Sequence, residues 1–394
     1  MSSSAQETHD GNVPHRIRPD KPPTLFQPSF NPNMLIQGLS PGELPKSDDI
    51  LHFFLTPGHK SVYDIVYAAE RLTLLTAKDN KAKLVSLRVL GYLVLLAPGP
   101  DHKALAEIAT AVRTTDSSDI YVLGGIYSDC FVRSFYKFKG SRTPFTPSHP
   151  SRPSFNVRVQ EIKATILQAP KNHSEAKDKV GHTMSLVSAL VRDGYRCVVT
   201  GTIDTKCKGF FDFTELKKSG TLRTECAHII PEATYFGLDK GKKKDYSASV
   251  LAVFDRFGVQ FDKLNEGNIH SLWNVMTLVQ PIHDSFDRLE LWFEATGNEH
   301  EYFIKTTDET NRLLSELNGP ITLTSSDPNV PLPDPKLLAF HAAACRVAYL
   351  SGATEYMEEI LRDFERLNVL AEDGGSLAIL EHAFFQAGLV RVEV

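Results

Sequence analysis

The chain has 394 residues, 42% of them apolar and 23% charged, and a net charge of −5. That length exceeds what one hydrophobic core normally organises and predicts two or three domains. The composition is that of an ordinary soluble protein, and the acidic balance excludes a broad, strongly basic surface for coating nucleic acid while leaving room for a small basic cleft. Five scattered cysteines (Cys130, Cys197, Cys207, Cys226 and Cys345) exclude a disulfide scaffold and fit a reducing compartment. None of them forms a pair at structural-zinc spacing, so buried thiols are the expectation.

In chain order, residues 1–32 carry several prolines and little apolar material and read as a disordered leader, without the apolar core of a signal peptide. Residues 33–139 form a helical N-terminal region. Within it Tyr63, Val66, Tyr67, Ala69, Leu72 and Leu75, then Leu84, Leu87, Val89, Leu90 and Leu93, recur at about 3.6-residue spacing. Pro98-Gly99-Pro100 breaks the second helix, and Lys103–Arg113 reads as a third. Ile120–Phe138 is apolar and aromatic without a decisive period. The longest apolar run, Val85–Pro98, is interrupted by Ser86 and Arg88 and is too short to span a bilayer.

Residues 140–155 hold Pro144, Pro147, Pro150 and Pro153 and read as a linker. A helical lead-in, 156–194, follows, with helices over Val157–Ala169 and His173–Asp193, the latter ending at Gly194. A compact unit is expected over 195–306. A second proline-rich linker, 307–335, precedes a helical C-terminal region, 336–394, with helices over Lys336–Ser351, Thr354–Leu367 and Ser376–Ala387. With no secretion signal, the sequon Asn172-His173-Ser174 is discounted and the expected location is intracellular, nucleus or cytoplasm.

The chemistry concentrates in the unit 195–306. Arg196-Cys197-Val198-Val199-Thr200-Gly201 opens it, Glu225-Cys226-Ala227-His228-Ile229-Ile230-Pro231 follows, and Trp273-Asn274 precedes an apolar strand. His283-Asp284-Ser285-Phe286-Asp287 closes the set. His283 and Asp287 lie four residues apart, the spacing that stacks side chains on one helix face, and Pro281 suits the first turn of that helix. Taken singly, each has a bland reading. His228 reads as a structural histidine on an apolar strand, Asn274 as a cap or turn residue, and Asp287 as a carboxylate paired with Arg288. Asp284 reads as a partner of the helix N-terminal dipole.

In this order and spacing, nine positions from Asn274 to His283 and four more to Asp287, the set resembles the HNH, or ββα-metal, endonuclease family over about a quarter of the chain. The resemblance implies an α+β fold, with a ββα-metal nuclease module embedded between mainly helical flanks. It also implies a metal-dependent endonuclease that hydrolyses phosphodiester bonds in nucleic acid, DNA foremost. His228 would be the general base, a role suited to an imidazole near neutrality. Asn274 would orient that ring or, as in some members, ligate the metal. His283 would complete the catalytic set and, with Asp287, hold a divalent ion, Mg²⁺ foremost, with Mn²⁺ or Zn²⁺ as alternatives.

Two features depart from the family pattern. Many members carry a metal-ligating Asp or His directly before the base, where this chain has Ala227, as in a group common in fungi. Glu225, which shares a strand face with Ala227, is the replacement candidate. The second departure is the 46-position separation of His228 from Asn274. That insert carries a helix over Tyr246–Phe257 and a basic cluster, Lys240, Lys242, Lys243 and Lys244, read either as phosphate contacts or as a solvated face. The competing class is a catalytically inactive HNH-like scaffold that acts as an interaction protein, binding a protein partner through its helical flanks. A peptidase built on Cys226 and His228 lacks an evident oxyanion device.

Overall fold

A computed structural model of the chain describes residues 36–76, 80–97, 102–136, 188–231, 250, 252–259, 269–308, 310–315, 317 and 319–366. The expected leader, the proline-rich stretch 140–155, the helix Val157–Ala169, most of the helix His173–Asp193, the lysine cluster 240–244 and the helix Ser376–Ala387 lie outside those residues.

The 3.6-residue spacing of the N-terminal region produces α1 (Pro57–Thr76), α2 (Lys81–Leu95) and α3 (Lys103–Thr114). From Leu87 to Leu95 only Arg88 is not buried, so α2 is a central helix packed on all sides. The stretch with no decisive period, Ile120–Phe138, begins as α4 (Ile120–Tyr127) and passes into a π-helical turn, Ser128–Val132. α4 lies directly against α2, with Ile120, Gly124 and Tyr127 buried, while its apolar Val122 and Ile126 are exposed. At Gly124 the approach is so close that a Cβ would collide with the backbone carbonyl oxygen of Ser86.

The central segment is built from short strands. β1 (Ile203–Asp204) pairs in parallel with β2 (Thr221–Leu222), and between them a 3-10 turn leads into α5 (Phe213–Ser219). Asp204 and Asp212 cap these two elements, accepting hydrogen bonds from Lys206 N and Glu215 N. β3 (Thr224–His228) is antiparallel to β4 (Val275–Val279), and α6 (Gln280–Asp287) follows β4 without a loop. β5 (Leu291–Ala295), β6 (Glu301–Thr306) and β7 (Ile321–Thr322) form a second antiparallel sheet. The architecture is mixed α and β.

Residues 319–334, read from their prolines as part of a linker, are tied to the rest of the molecule. Ile321 and Thr322 pair with β6, Ser326 N donates to Arg192 O at 2.8 Å, and Asp334 N donates to Trp273 O at 2.8 Å. Proline removes only its own N–H, and the neighbouring non-proline donors supply these anchors. The segment delivers the chain to α7 (Pro335–Ser351), whose cap Asp334 accepts from Lys336 N and whose end is closed by the left-handed Gly352. α8 (Ala353–Arg366) follows.

α7 is the hub that joins the flanks to the centre, packing on α2 and on β5. Phe340 of α7 meets Phe131 at 5.1 Å and Phe254 at 4.8 Å, both edge to face. Phe254 lies in the helical residues 252–256, within the helix expected over Tyr246–Phe257. His341, one residue on, stacks on Phe286 of α6 at 3.8 Å between ring centres. No described helix is long and apolar enough to cross a membrane.

Candidate active site

The site grows from the β3–β4 pair and the helix that continues it. The register sets Glu225 opposite Leu278, Ala227 opposite Met276 and His228 opposite Val275. β4 is buried along its whole length, so its partner is fixed in register by the core beneath it. Side chains alternate along β3, placing Glu225 and Ala227 on one face and Cys226 and His228 on the other.

The Glu225 face meets α6. Glu225 Oε2 lies 3.0 Å from His283 Nδ1, and Asp287 Oδ2 lies 3.3 Å from His283 Nε2. The imidazole is thus held at both nitrogens, between a strand carboxylate and a carboxylate one helical turn away. Its side chain is only 9% exposed, so these contacts are little diluted by water. Arg223 lies 3.8 Å from the other oxygen of Glu225. Behind α6, His341 Nε2 lies 3.3 Å from the Phe286 carbonyl oxygen, and burial lowers the His341 pKa to about 4. His341 is therefore a neutral, apolar-side brace for the helix carrying His283 and Asp287.

His228 is the last residue of β3. Its Nε2 lies 3.0 Å from His270 Nδ1, with the two rings at 69°. Asn274, fully buried, accounts for their meeting. Its Oδ1 accepts from Ile230 N at 2.9 Å, and its Nδ2 donates to Ile230 O at 3.1 Å and to Ile269 O at 2.8 Å. Ile229 N adds a bond to Asn274 O at 2.8 Å. One amide thereby ties the end of the base strand to the segment bearing His270. The sequence reading aimed this amide at the His228 ring or at a metal. In the structure it is spent on backbone, because the chain ends at Ile230 and Ile269 need partners where they leave regular pairing.

Residues that sequence reasoning missed support this arrangement. Arg192, 1% exposed, donates to the carbonyls of Leu272 and Val275, on either side of Asn274, and to that of Pro331. Asp193 pairs with Arg192 through both oxygens and accepts from Thr277 N of β4. The only sequence hint was a charged pair ending a helix just before the site. His270 gave no periodic signal, and only its place in the polar stretch before Trp273-Asn274 marked it out.

The structure brings Glu225, His283 and Asp287 into one contact chain and His228 and His270 into a second, with Asn274 tying the backbone beside both rings of the second. Lys240, Lys242, Lys243 and Lys244 lie outside the described residues. Among the described residues no three His, Cys, Asp or Glu side chains are arranged as a metal shell. Glu225, His283 and Asp287 offer one imidazole and two carboxylates, donor types that divalent cations accept.

Neither a curated protein nor a solved structure matches this chain. The family model described as HNH endonuclease matches residues 197–294, a range that takes in β3, β4 and α6 with His228, Asn274, His283 and Asp287. Over residues 197–294, this chain carries a segment of the HNH endonuclease family.

Proposed function

We propose that this protein is a metal-dependent HNH endonuclease of the ββα-metal type, hydrolysing phosphodiester bonds in nucleic acid, with DNA the foremost substrate. The observation that carries the reading is the antiparallel pair β3–β4 with α6 following β4 directly, all inside the matched segment. It sets His228 at a strand end, and its helix displays His283 and Asp287 toward Glu225.

His228 takes the proton of the attacking water, a step worth about a hundred- to ten-thousand-fold in rate. Asn274 contributes by fixing the backbone at Ile230 and Ile269 rather than by touching the ring. His283 and Asp287, with Glu225 filling the place left by Ala227, would hold a divalent ion, Mg²⁺ foremost and Mn²⁺ or Zn²⁺ as alternatives. When bound, such an ion stabilises charge on a phosphate and on its leaving oxygen. His283 and the carboxylates must then exchange part of their present pairing for the ion, which makes ion affinity dependent on how readily Glu225 and Asp287 release the imidazole. Lys240, Lys242, Lys243 and Lys244 serve as phosphate contacts in this reading, which also places the protein in a reducing, intracellular setting, nucleus or cytoplasm. The compact nuclease unit 195–306 between helical flanks is part of the same proposal.

Plasmid cleavage tests it, with Mg²⁺, Mn²⁺, Zn²⁺ or EDTA, on the whole chain and on His228→Ala. Cleavage is expected with at least one of the ions and none in EDTA. The variant should fold, by circular dichroism, and lose about a hundredfold or more in turnover. An uncleaved plasmid under all ions, or an undiminished His228→Ala protein, would overturn the nuclease reading. An uncleaved plasmid would favour the inactive scaffold, for which Ala227 and the double pairing of His283 are the supporting features.

A further inference from the structure

Two imidazole nitrogens 3.0 Å apart must share one hydrogen, so the contact between His228 Nε2 and His270 Nδ1 has only two neutral arrangements. In one, His270 donates from Nδ1. His228 then accepts at Nε2 and carries its own proton on Nδ1, which leaves the ring no nitrogen able to take a proton without first giving up the contact. In the other, His228 donates from Nε2 to an unprotonated His270 Nδ1, and His228 Nδ1 is the basic atom. Only the second arrangement is compatible with His228 as a general base.

We propose that His270 is the positioning residue of this site: its Nδ1 accepts the Nε2 proton of His228, fixes the ring at the end of β3 and makes Nδ1 of His228 the nitrogen that takes the proton from water. The inference rests on the nuclease reading for the choice between the two arrangements and for its catalytic consequence, and on geometry for the contact itself. The surrounding structure is organised for such a contact. The side chain of Asn274 binds Ile269, directly before His270, and Ile230, two residues after His228, so both rings hang from one buried amide. The two rings meet at 69° with their centres 5.2 Å apart, so they touch through Nε2 and Nδ1 rather than stacking face to face. When His228 becomes an imidazolium, the same hydrogen bond acquires a charged donor and strengthens, which favours the protonated state during turnover. His270 thus takes the orienting role that the sequence reading assigned to Asn274.

The test uses the whole chain labelled with ¹⁵N-histidine, with the His228 signals assigned by their loss in His228→Ala. Long-range proton–nitrogen correlation should show the Nε2–H tautomer of His228 in the wild type. In His270→Ala that preference should relax to a mixture. In His270→Asn, whose Oδ1 can accept from the position of Nδ1, it should be retained. In plasmid cleavage His270→Ala should lower kcat about ten- to a hundredfold, the usual cost of losing a group that orients a reacting residue, with KM near its wild-type value. His270→Asn should restore most of that loss. A wild-type His228 in the Nδ1–H form, or a His228 tautomer indifferent to His270→Ala, would overturn the proposal, as would an unchanged kcat in His270→Ala. The nuclease reading fails separately, by absence of wild-type cleavage, and the tautomer measurement then still decides the role of His270.

Discussion

His341 sits where a charge cannot be accommodated, stacked on Phe286 and fully enclosed, and burial lowers its pKa from 6.5 to about 4. Because the unfolded chain binds that proton more readily, stability is complete above about pH 6.5 and is lost as pH falls toward 4. The shift corresponds to about 3 kcal/mol. Asp129 works in the opposite direction. Burial raises its carboxyl pKa to about 6, so its contribution is present at low pH and is lost as pH rises from about 4 through 6. The two partly cancel in the whole chain, so His341 is isolated by comparison with His341→Phe, which keeps a ring against Phe286 and cannot titrate. In urea unfolding, stability relative to wild type should rise by about 3 kcal/mol in favour of His341→Phe between pH 7.5 and pH 4. A pH-independent difference would mean that His341 is solvated or charged in the native state. The same scale separates what the residues disclosed from what they concealed. His283 and Asp287 were legible as partners because a four-residue spacing needs only one helix. Asn274 was legible as a polar residue within an apolar run, but its backbone partners, 44 and 5 residues away, were not. His270 reaches His228 across 42 residues of chain, a proximity that no local pattern encodes.

Among the elements, the α2–α4 crossing has the least tolerance. Gly124 leaves no room for even a methyl group, and the obstruction is the backbone carbonyl oxygen of Ser86, which cannot rotate aside as a side chain would. Gly124→Ala should therefore cost about 1–3 kcal/mol despite the better helix propensity of alanine, as overpacking generally does. The urea midpoint should fall, and far-ultraviolet circular dichroism should remain native. A stabilised variant would show that the helices separate freely. Helices α1, α2, α3 and α7 were readable in the sequence because their apolar residues repeat with the helical period. α4 was not, since its exposed positions, Val122 and Ile126, are as apolar as its buried ones and no polar face marks the period. The short strands β1, β2 and β7 were equally hidden. Each has two residues and owes its existence to a partner elsewhere in the chain rather than to its own sequence.

For the molecule as a whole, the net charge of −5 means that any attraction to a polyanion must be local. Lys240, Lys242, Lys243 and Lys244 follow His228 by only twelve to sixteen residues, and the chain offers no comparable basic run. Neutralising all four in a His228→Ala background should flatten the dependence of log affinity for duplex DNA on log salt, by about 0.9 for every phosphate that one of these lysines had neutralised. Fluorescence anisotropy titrations would read this slope, and an unchanged value would restrict phosphate binding to the neighbourhood of β3 and α6. The packing of α7 has a further consequence, for inheritance. The family segment stops at residue 294, within β5, yet Leu291, Trp292 and Phe293 of that strand are buried and α7 packs on it. A recombination event moving only the homologous segment into another protein would carry off an uncovered apolar strand and leave α7 facing water. The unit that can fold intact is therefore longer than the segment that matches the family. Any transplant of the matched segment must bring α7, or another apolar cover for β5, along with it.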